Sequence, residues 1–249
     1  MSGDAAPERR LPAGVASSQT TSAEAPADLL ALFVWLSPAY PVGAFAYSHA
    51  LEWAVETGDI RDAATLAGWV DDLLRHGGPF ADAVLLAHAW RATETEDDAA
   101  LAEVLELASA FAPARERQME TLNQGDAFIS ATRLAWPSPR LDRLPDIWAG
   151  RVAYPVAVGI AAAAHGLPLG ATLGAYLNAV AANLISAAVR LVPLGQTDGN
   201  RTLAGTTSTV RAVVPLALQV PLDRLGGAAF RSDIAAMRHE TQYTRLFRS

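Results

Sequence analysis

The sequence predicts an all-α protein, a single-domain helical bundle of about ten helices. Alanine supplies 52 of the 249 residues and runs of β-branched residues are short, a composition that favours helix over sheet. Apolar residues recur at helical spacing, as in Ile60, Ala63, Ala67, Val70 and Leu74. No stretch alternates between apolar and polar residues as a strand does. Only 18% of the residues are charged, which suits a large core or a large interface.

Glycine, proline and aspartate mark where the helices begin and end. Pro38 stops the first helix and Gly58 caps the second. The third begins at Asp59 or Asp62, where an acidic side chain favours the helix N-terminus, and ends at Gly77. The predicted helices span residues 29–36, 47–56, 59–77, 79–92, 97–112, 114–134, 154–164, 169–191 and 202–218, and a last one begins at about residue 228.

The first 27 residues differ from the rest in composition. They are small, polar and rich in proline, alanine, serine and threonine, and they lack the apolar segment of a secretory signal. We therefore expect residues 1–27 to be a disordered leader, residues 28–249 to form the helical domain, and the protein to be cytoplasmic.

Charge and residue usage exclude several classes of function. The net charge is −7, which argues against nucleic-acid binding because phosphate recognition needs a basic surface. The chain has no cysteine, which excludes disulfides, thiolate metal sites and cysteine nucleophiles. All 19 basic residues other than histidine are arginine, so the chain cannot supply a P-loop lysine or a Schiff-base lysine.

A long stretch, residues 152–189, contains no charged residue. His165, Gly166 and Pro168 divide it into two halves, and the second half carries amides such as Asn178. A membrane span would be richer in leucine, isoleucine and phenylalanine and poorer in amides. We therefore expect a buried helical hairpin and no membrane span.

Three glycines inside predicted helices indicate close contacts between helices. Gly170 and Gly174 form a small-xxx-small pair, which lets two backbones approach. Gly125 interrupts another helix, where glycine costs about 1 kcal/mol relative to alanine. The contacts belong either to a subunit interface or to ordinary core packing, and core packing is the simpler interpretation.

The sequence shows no motif of a catalytic or metal-binding site. None of the five histidines belongs to an HxH, HxxxH or HExxH pattern, and no GxSxG or GxGxxG is present. His49 and Glu52 lie three residues apart on one helical face, but a hydrogen-bonded histidine explains them better than a metal ligand. We therefore predict no catalytic residue, no metal site and no cofactor.

The segment LVPLGQTDGNR follows the uncharged stretch and has two interpretations. In the first it is a capped turn that begins at Pro193 and Gly195 and bends at Asp198 and Gly199. In the second it is a rigid polar loop presented to a partner. Composition alone does not decide between them.

The last predicted helix has an apolar stripe. At about 100° per residue, Ile234, Met237 and Thr241 lie on the same side as Phe230. We expect this stripe to face the core, as in an amphipathic helix.

The final residues, MRHETQYTRLFRS, are polar yet hold three large side chains. If the helix continues, Tyr243, Leu246 and Phe247 fall on the side opposite the stripe, at the spacing of anchors of a helix lying in a groove. One buried face cannot serve both sets. Either the chain leaves the helix and folds back, or the second set binds another protein.

Four stretches, in order, resemble the UreF family of urease accessory proteins. They are SPAYPVGAFAYSHALEWAVETG from Ser37, RERQMETLNQGDAF from Arg115, AAVRLVPLGQTDGNR from Ala187 and MRHETQYTRLFRS from Met237. The resemblance spans about residues 29–249, and four ordered motifs make it specific. The family usually has a glycine where this chain has Ala50.

The resemblance implies a dimeric scaffold rather than an enzyme. Such a co-chaperone joins the UreD/UreH accessory protein and the GTPase UreG on the urease apoprotein while nickel is inserted, and it influences GTP hydrolysis. Carried over by motif, the residues that bind partners or order the carboxyl-terminal segment for them are His239, Glu240, Tyr243, Arg245, Leu246, Phe247, Arg248, Pro193, Gly195, Gln196, Asp198, Tyr47 and Glu52.

A function of a different class stays open, that of an all-α enzyme or small-molecule-binding protein. Its apolar substrate would lie in the uncharged hairpin, which offers only His165, Asn178 and Asn183 as convergent polar groups. A third class, a nucleic-acid-binding helical domain, is disfavoured by the acidic balance of the chain.

Overall fold

The computed structural model describes Met1 and residues 29–249, and this part of the chain is a helical bundle without β-strands. Its α-helices are α1 (Leu30–Trp35), α2 (Leu51–Glu56), α3 (Ala63–His76), α4 (Gly78–Glu94), α5 (Asp98–Ala110), α6 (Arg115–Ala135), α7 (Pro139–Asp142), α8 (Leu144–Ile147), α9 (Tyr154–Ala164), α10 (Leu169–Leu191), α11 (Gln196–Ala217) and α12 (Phe230–His239). Because α7 and α8 have only four residues each, the prediction of about ten helices is confirmed. The leader predicted over residues 1–27 lies outside the described residues, apart from Met1.

Most helix boundaries agree with the prediction. Helices α9 and α10 begin and end at the predicted residues. Of the two proposed starts of α3, Asp62 is the right one. Its carboxylate accepts the N–H of Thr65 at 2.8 Å, and the Thr65 hydroxyl accepts the N–H of Asp62 at 3.1 Å, which together form a capping box. The sequence missed α7 and α8, which are too short for a periodic pattern.

Helix α9 lies between α4 and α6 and forms the centre of the core. Two glycines make this packing possible. A Cβ atom on Gly125 of α6 would lie 1.9 Å from the Val152 oxygen, and one on Gly159 of α9 would lie 2.6 Å from the Leu86 oxygen. Both helices therefore approach neighbouring backbone, and the packing interpretation of Gly125 is confirmed.

The uncharged stretch forms the expected hairpin of α9 and α10. Among the described residues, α10 is the one helix long and apolar enough to cross a membrane, and 56% of its most apolar window is buried in the protein. Its other side is open. A Cβ atom on Gly170 or Gly174 would meet nothing within 4 Å, so core packing is the wrong interpretation of this pair.

The side of helix α12 that faces the core is opposite to the predicted one. Phe230, Ile234 and Met237, expected to face the core, are 69%, 56% and 52% exposed, while Ala235 and Ala236 are buried together with His239. The small alanines let α12 approach α2 and α6, and the ring nitrogens of His239 lie against Glu116 and Glu52 there. The apolar stripe therefore remains on the surface.

The bend after α10 comes earlier than the capped-turn interpretation places it. The chain turns between Val192 and Gly195, and α11 already begins at Gln196. Asp198 and Gly199 therefore lie in the first turn of α11, where an acidic side chain is favourable.

Two residues before α2 have left-handed backbone conformations. His49 has φ 54° and Ala50 has φ 63°, in a region that costs a residue with a Cβ atom about 1–2 kcal/mol. This conformation is a physical reason for glycine at the position of Ala50. It also turns the chain so that His49 and Glu52 reach different partners.

Candidate functional site

The carboxyl-terminal segment is the candidate functional site, and its route across the domain is fixed by hydrogen bonds. The helix α12 ends at His239, and residues 240–249, called the tail, fold back across α2 and α6. The N–H of Arg248 donates to the Ala46 oxygen at 2.9 Å. The N–H and the hydroxyl of Ser48 donate to the main-chain oxygen of Ser249 at 2.8 and 2.6 Å. Of the two sequence interpretations, the chain leaving the helix is the one observed.

Glu52, at the first turn of α2, holds the turn of the tail. Its carboxylate accepts the N–H of Leu246 at 2.6 Å and the N–H of Phe247 at 3.0 Å, and it lies 3.4 Å from Nε2 of His239. The residue is only 8% exposed. Buried main-chain N–H groups need an acceptor, and a charged acceptor makes the stronger bonds.

Glu116, on α6, ties the end of α12 to the tail. One carboxylate oxygen lies 2.6 Å from Nδ1 of the fully buried His239, and the other accepts from Arg245 at 2.5 Å. Glu240 is a carboxylate of the tail that in turn bonds to α6. Its carboxylate accepts the N–H of Arg115 at 2.7 Å and so caps α6, whose own N-terminus has no side-chain cap.

Glu120, one turn further along α6, anchors the end of the tail. It accepts the hydroxyl of Ser249 at 2.5 Å, pairs with Nε2 of His49 at 2.8 Å and accepts a short bond from Arg117. Burial alone would raise the pKa of this carboxyl, but Arg117, His49 and Ser249 together hold its pKa well below the ordinary value of 4.5. Glu120 is therefore a buried carboxylate that stays ionised.

Arg190, at the end of α10, stacks between two phenylalanine rings. Its guanidinium carbon lies 3.9 Å from the ring centre of Phe45 and 4.4 Å from that of Phe247, in cation–π geometry. Both of its terminal nitrogens donate to the Phe45 oxygen at 3.2 Å. Phe247 is thereby buried against the domain.

The tail presents other side chains to solvent. Tyr243 is fully exposed and Leu246 is 66% exposed, while Phe247 points inward. The Tyr243, Leu246 and Phe247 triplet is therefore not one surface, because the chain is no longer helical after His239. Two large side chains remain on a segment that the domain holds in place.

The remaining predicted site residues divide into two groups. Tyr47 is buried beside the tail, and its hydroxyl accepts from the Asn123 amide at 3.2 Å. Pro193, Gly195 and Gln196 are exposed at the α10–α11 connection, where Asp198 pairs with Arg201 at 3.2 Å. No hydrogen bond, ion pair or ring contact within residues 29–249 joins this connection to the tail.

Sequence reasoning did not select three of the residues that hold the tail. Glu116 and Glu120 are four residues apart and share one face of α6 with the buried Gln124, so polar residues at helical spacing were the available signal. Arg190 is the first charged residue after the uncharged stretch. A lone charge ending an apolar helix was the signal for it.

The polar groups of the hairpin do not converge on a pocket. Both ring nitrogens of His165 lie near main-chain oxygens, 2.8 Å from that of Ala161 and 3.2 Å from that of Trp136. Asn178 is exposed on α10. His49 pairs with Glu120 and not with Glu52. In the part of the chain that the structure describes, no group of three or more metal-binding side chains is present.

Comparison with known proteins gives consistent matches. A model of the UreF family matches residues 60–207. The urease accessory protein UreF of Rhodopseudomonas palustris strain TIE-1 is 56% identical over 234 residues, which is 94% of this chain and 98% of that protein. The urease accessory protein UreF of Xanthobacter autotrophicus strain ATCC BAA-1158 / Py2 is 55% identical over 243 residues, 96% of this chain and 99% of that protein.

The role of Glu52 gives a first prediction. In Glu52→Gln the Leu246 and Phe247 N–H groups lose their charged acceptor, so the tail opens more often. We expect trypsin to cleave after Arg245 at least about tenfold faster, since a hydrogen bond to a charged group contributes about 1.5–3 kcal/mol. Mass spectrometry of timed digests measures the rate. Glu103→Gln, at an exposed position on α5, is the control, and equal rates in the two variants would contradict the assignment.

The lowered pKa of Glu120 gives a second prediction. Its stabilisation is present above the unfolded-state pKa and is lost as pH falls below about 4.5 toward the folded-state pKa. At about pH 7, Glu120→Gln should lower the free energy of unfolding by about 3–5 kcal/mol, the cost of breaking a buried pair. The difference in the free energy of unfolding between the wild type and this variant should decrease as pH falls to about 3. Urea unfolding at each pH measures it, and a gap independent of pH would refute the account of Glu120.

Proposed function

Because this chain belongs to the UreF family of urease accessory proteins, we propose that it is a cytoplasmic co-chaperone for assembly of the nickel centre of urease. In this role it bridges a UreD/UreH-type accessory protein and a UreG-type GTPase on the urease apoprotein, and it modulates GTP hydrolysis without catalysing a reaction itself. The absence of lysine from the sequence agrees with this division of labour, since the GTPase supplies the phosphate-binding lysine.

The observation that carries the proposal is the anchored tail. Glu52 accepts two main-chain N–H groups of the tail, and Glu116 and Glu120 hold the side chains of Arg245 and Ser249, while Tyr243 and Leu246 stay exposed. A segment that is ordered before binding loses less conformational entropy when a partner docks. Tyrosine and arginine are also favoured anchors of interfaces. We assign the tail as the surface for one accessory partner.

A second surface is the connection between α10 and α11. Pro193, Gly195 and Gln196 are exposed there, and the two longest helices of the described chain hold their backbone on both sides. No bond joins this connection to the tail within the described residues. Two rigid surfaces suit a protein that bridges two partners.

We also propose that the protein is a homodimer that pairs through the open side of α10. Gly170 and Gly174 leave room for a second backbone, and Asn178 lies on the same exposed side.

Gly174→Arg should then convert a dimer to a monomer in sedimentation equilibrium, because the side chain would enter the contact. Gly205→Ala, at an exposed glycine of α11 with open space around it, should leave the mass unchanged. A monomeric wild type, or a Gly174→Arg variant that stays dimeric, would exclude this contact.

The tail assignment predicts a loss of partner binding. Tyr243→Ala and Leu246→Ala should each weaken binding of the purified UreD/UreH-type protein by about tenfold or more, as for anchors worth about 1.4 kcal/mol or more. Calorimetric titration measures binding, and nickel content of co-expressed urease reports the consequence.

Leu134→Ala serves as the control, because Leu134 is 85% exposed at the end of α6 and outside the tail. The melting temperatures of all three variants should match that of the wild type. If both tail variants bind the partner as tightly as the control does, the tail is not the docking surface.

A further inference from the structure

A cavity of about 430 Å³ lies apart from the tail, between the α3–α4 junction, the α5–α6 connection and α12. Its walls are partly apolar, with Leu73, Phe111, Pro113 and Ala236. The volume is in the range of sites for small molecules or single side chains. None of its lining residues belongs to the tail or to the α10–α11 connection.

The charged groups of the cavity are not balanced. Asp82, Asp233 and Arg117 line it, and Arg117 is already engaged by Glu120 behind it. One oxygen of Asp82 accepts the Tyr176 hydroxyl at 3.0 Å. The other oxygen of Asp82 and both oxygens of Asp233 accept no hydrogen bond from the described residues. Three carboxyl groups, those of Asp82, Asp233 and Glu120, thus share two basic groups, the guanidinium of Arg117 and the imidazole of His49.

Both cavity carboxyls have pKa values above the ordinary value for aspartate. Burial raises the pKa of Asp82 and of Asp233, and the charge of Arg117 only partly opposes the effect. A further cation in the cavity would complete the pairing that the protein leaves unfinished.

We propose that this cavity binds an alkylguanidinium or alkylammonium group. Its carboxyl groups receive the cationic head through charge-assisted hydrogen bonds, and its apolar walls pack against the methylene stem. An organic cation fits better than a metal ion, since the described residues contain no cluster of three metal-binding side chains.

Two sources can supply such a group, an arginine or lysine side chain of a partner protein or a free amine. Asp233 sits on α12 between the exposed Phe230 and Met237, so a partner that packs on this stripe with a basic side chain would bring that side chain to the cavity. Only this partner source rests on the proposed function. The cavity chemistry itself does not.

Calorimetric titration with n-butylguanidine tests the cavity. We expect saturable binding with a dissociation constant on the order of millimolar, as for so small a ligand. Asp82→Asn and Asp233→Asn should each weaken it about tenfold, whereas Asp223→Asn, at an exposed position of the Leu222–Arg224 turn, should not. Because Asp233 is only half-buried and has no hydrogen-bond partner for its side chain among the described residues, its variant keeps the test valid even if Asp82→Asn folds poorly. Absence of saturable binding, equal binding of n-butyrate, or an Asp233→Asn variant with unchanged affinity would overturn the proposal.

A second titration distinguishes the sources. If a partner side chain fills the cavity, n-butylguanidine competes with the UreD/UreH-type protein or the UreG-type GTPase, and Asp233→Asn weakens that complex. If a free amine is the occupant, the probe binds and both complexes are unchanged. Failure of the tail assignment would appear in the Tyr243→Ala and Leu246→Ala complexes and would leave the titration of the cavity unaffected.

Discussion

The rest of the site depends on the hydrogen bonds that the Glu52 carboxylate accepts from the main chain of the tail. A chain that leaves a helix and reverses over a domain buries main-chain N–H groups, and such groups require acceptors. Glu52 accepts two of them, from Leu246 and Phe247, and also faces His239 at the end of α12. Without this acceptor the N–H groups of Leu246 and Phe247 would lose their partner, and the packing of Phe247 on Arg190 would be weakened.

The four sequence motifs meet around this point. Glu52 comes from the first, Glu116 and Glu120 from the second, and Arg190 from the third, and all of them hold residues of the fourth. Charged side chains are rarely buried unless they are paired, so this polar centre specifies one route for the tail. The same requirement applies to the cavity beside α12, where one oxygen of Asp82 and both oxygens of Asp233 accept no hydrogen bond from the described residues.

The helices were predictable because helical periodicity and glycine or proline boundaries are local. The bounds of α9 and α10 follow from the uncharged residues between Val152 and Val189 and from their division at Pro168. The orientation of α12 was not predictable in this way. His239 is buried by partners 123 and 187 positions away, Glu116 and Glu52, and periodicity within one helix carries no information about them. For the same reason the sequence indicated the composition of the tail but not its separation into an inward Phe247 and an outward Tyr243.

Hydrogen exchange of the tail amides in the free protein tests the central claim most directly. If Glu52 holds the turn, the N–H groups of Leu246 and Phe247 exchange far more slowly than those of an unstructured peptide, and they do so before any partner is added. Exchange of both amides at the rate of an unstructured peptide would contradict the account, since the tail would then be unbound until a partner orders it.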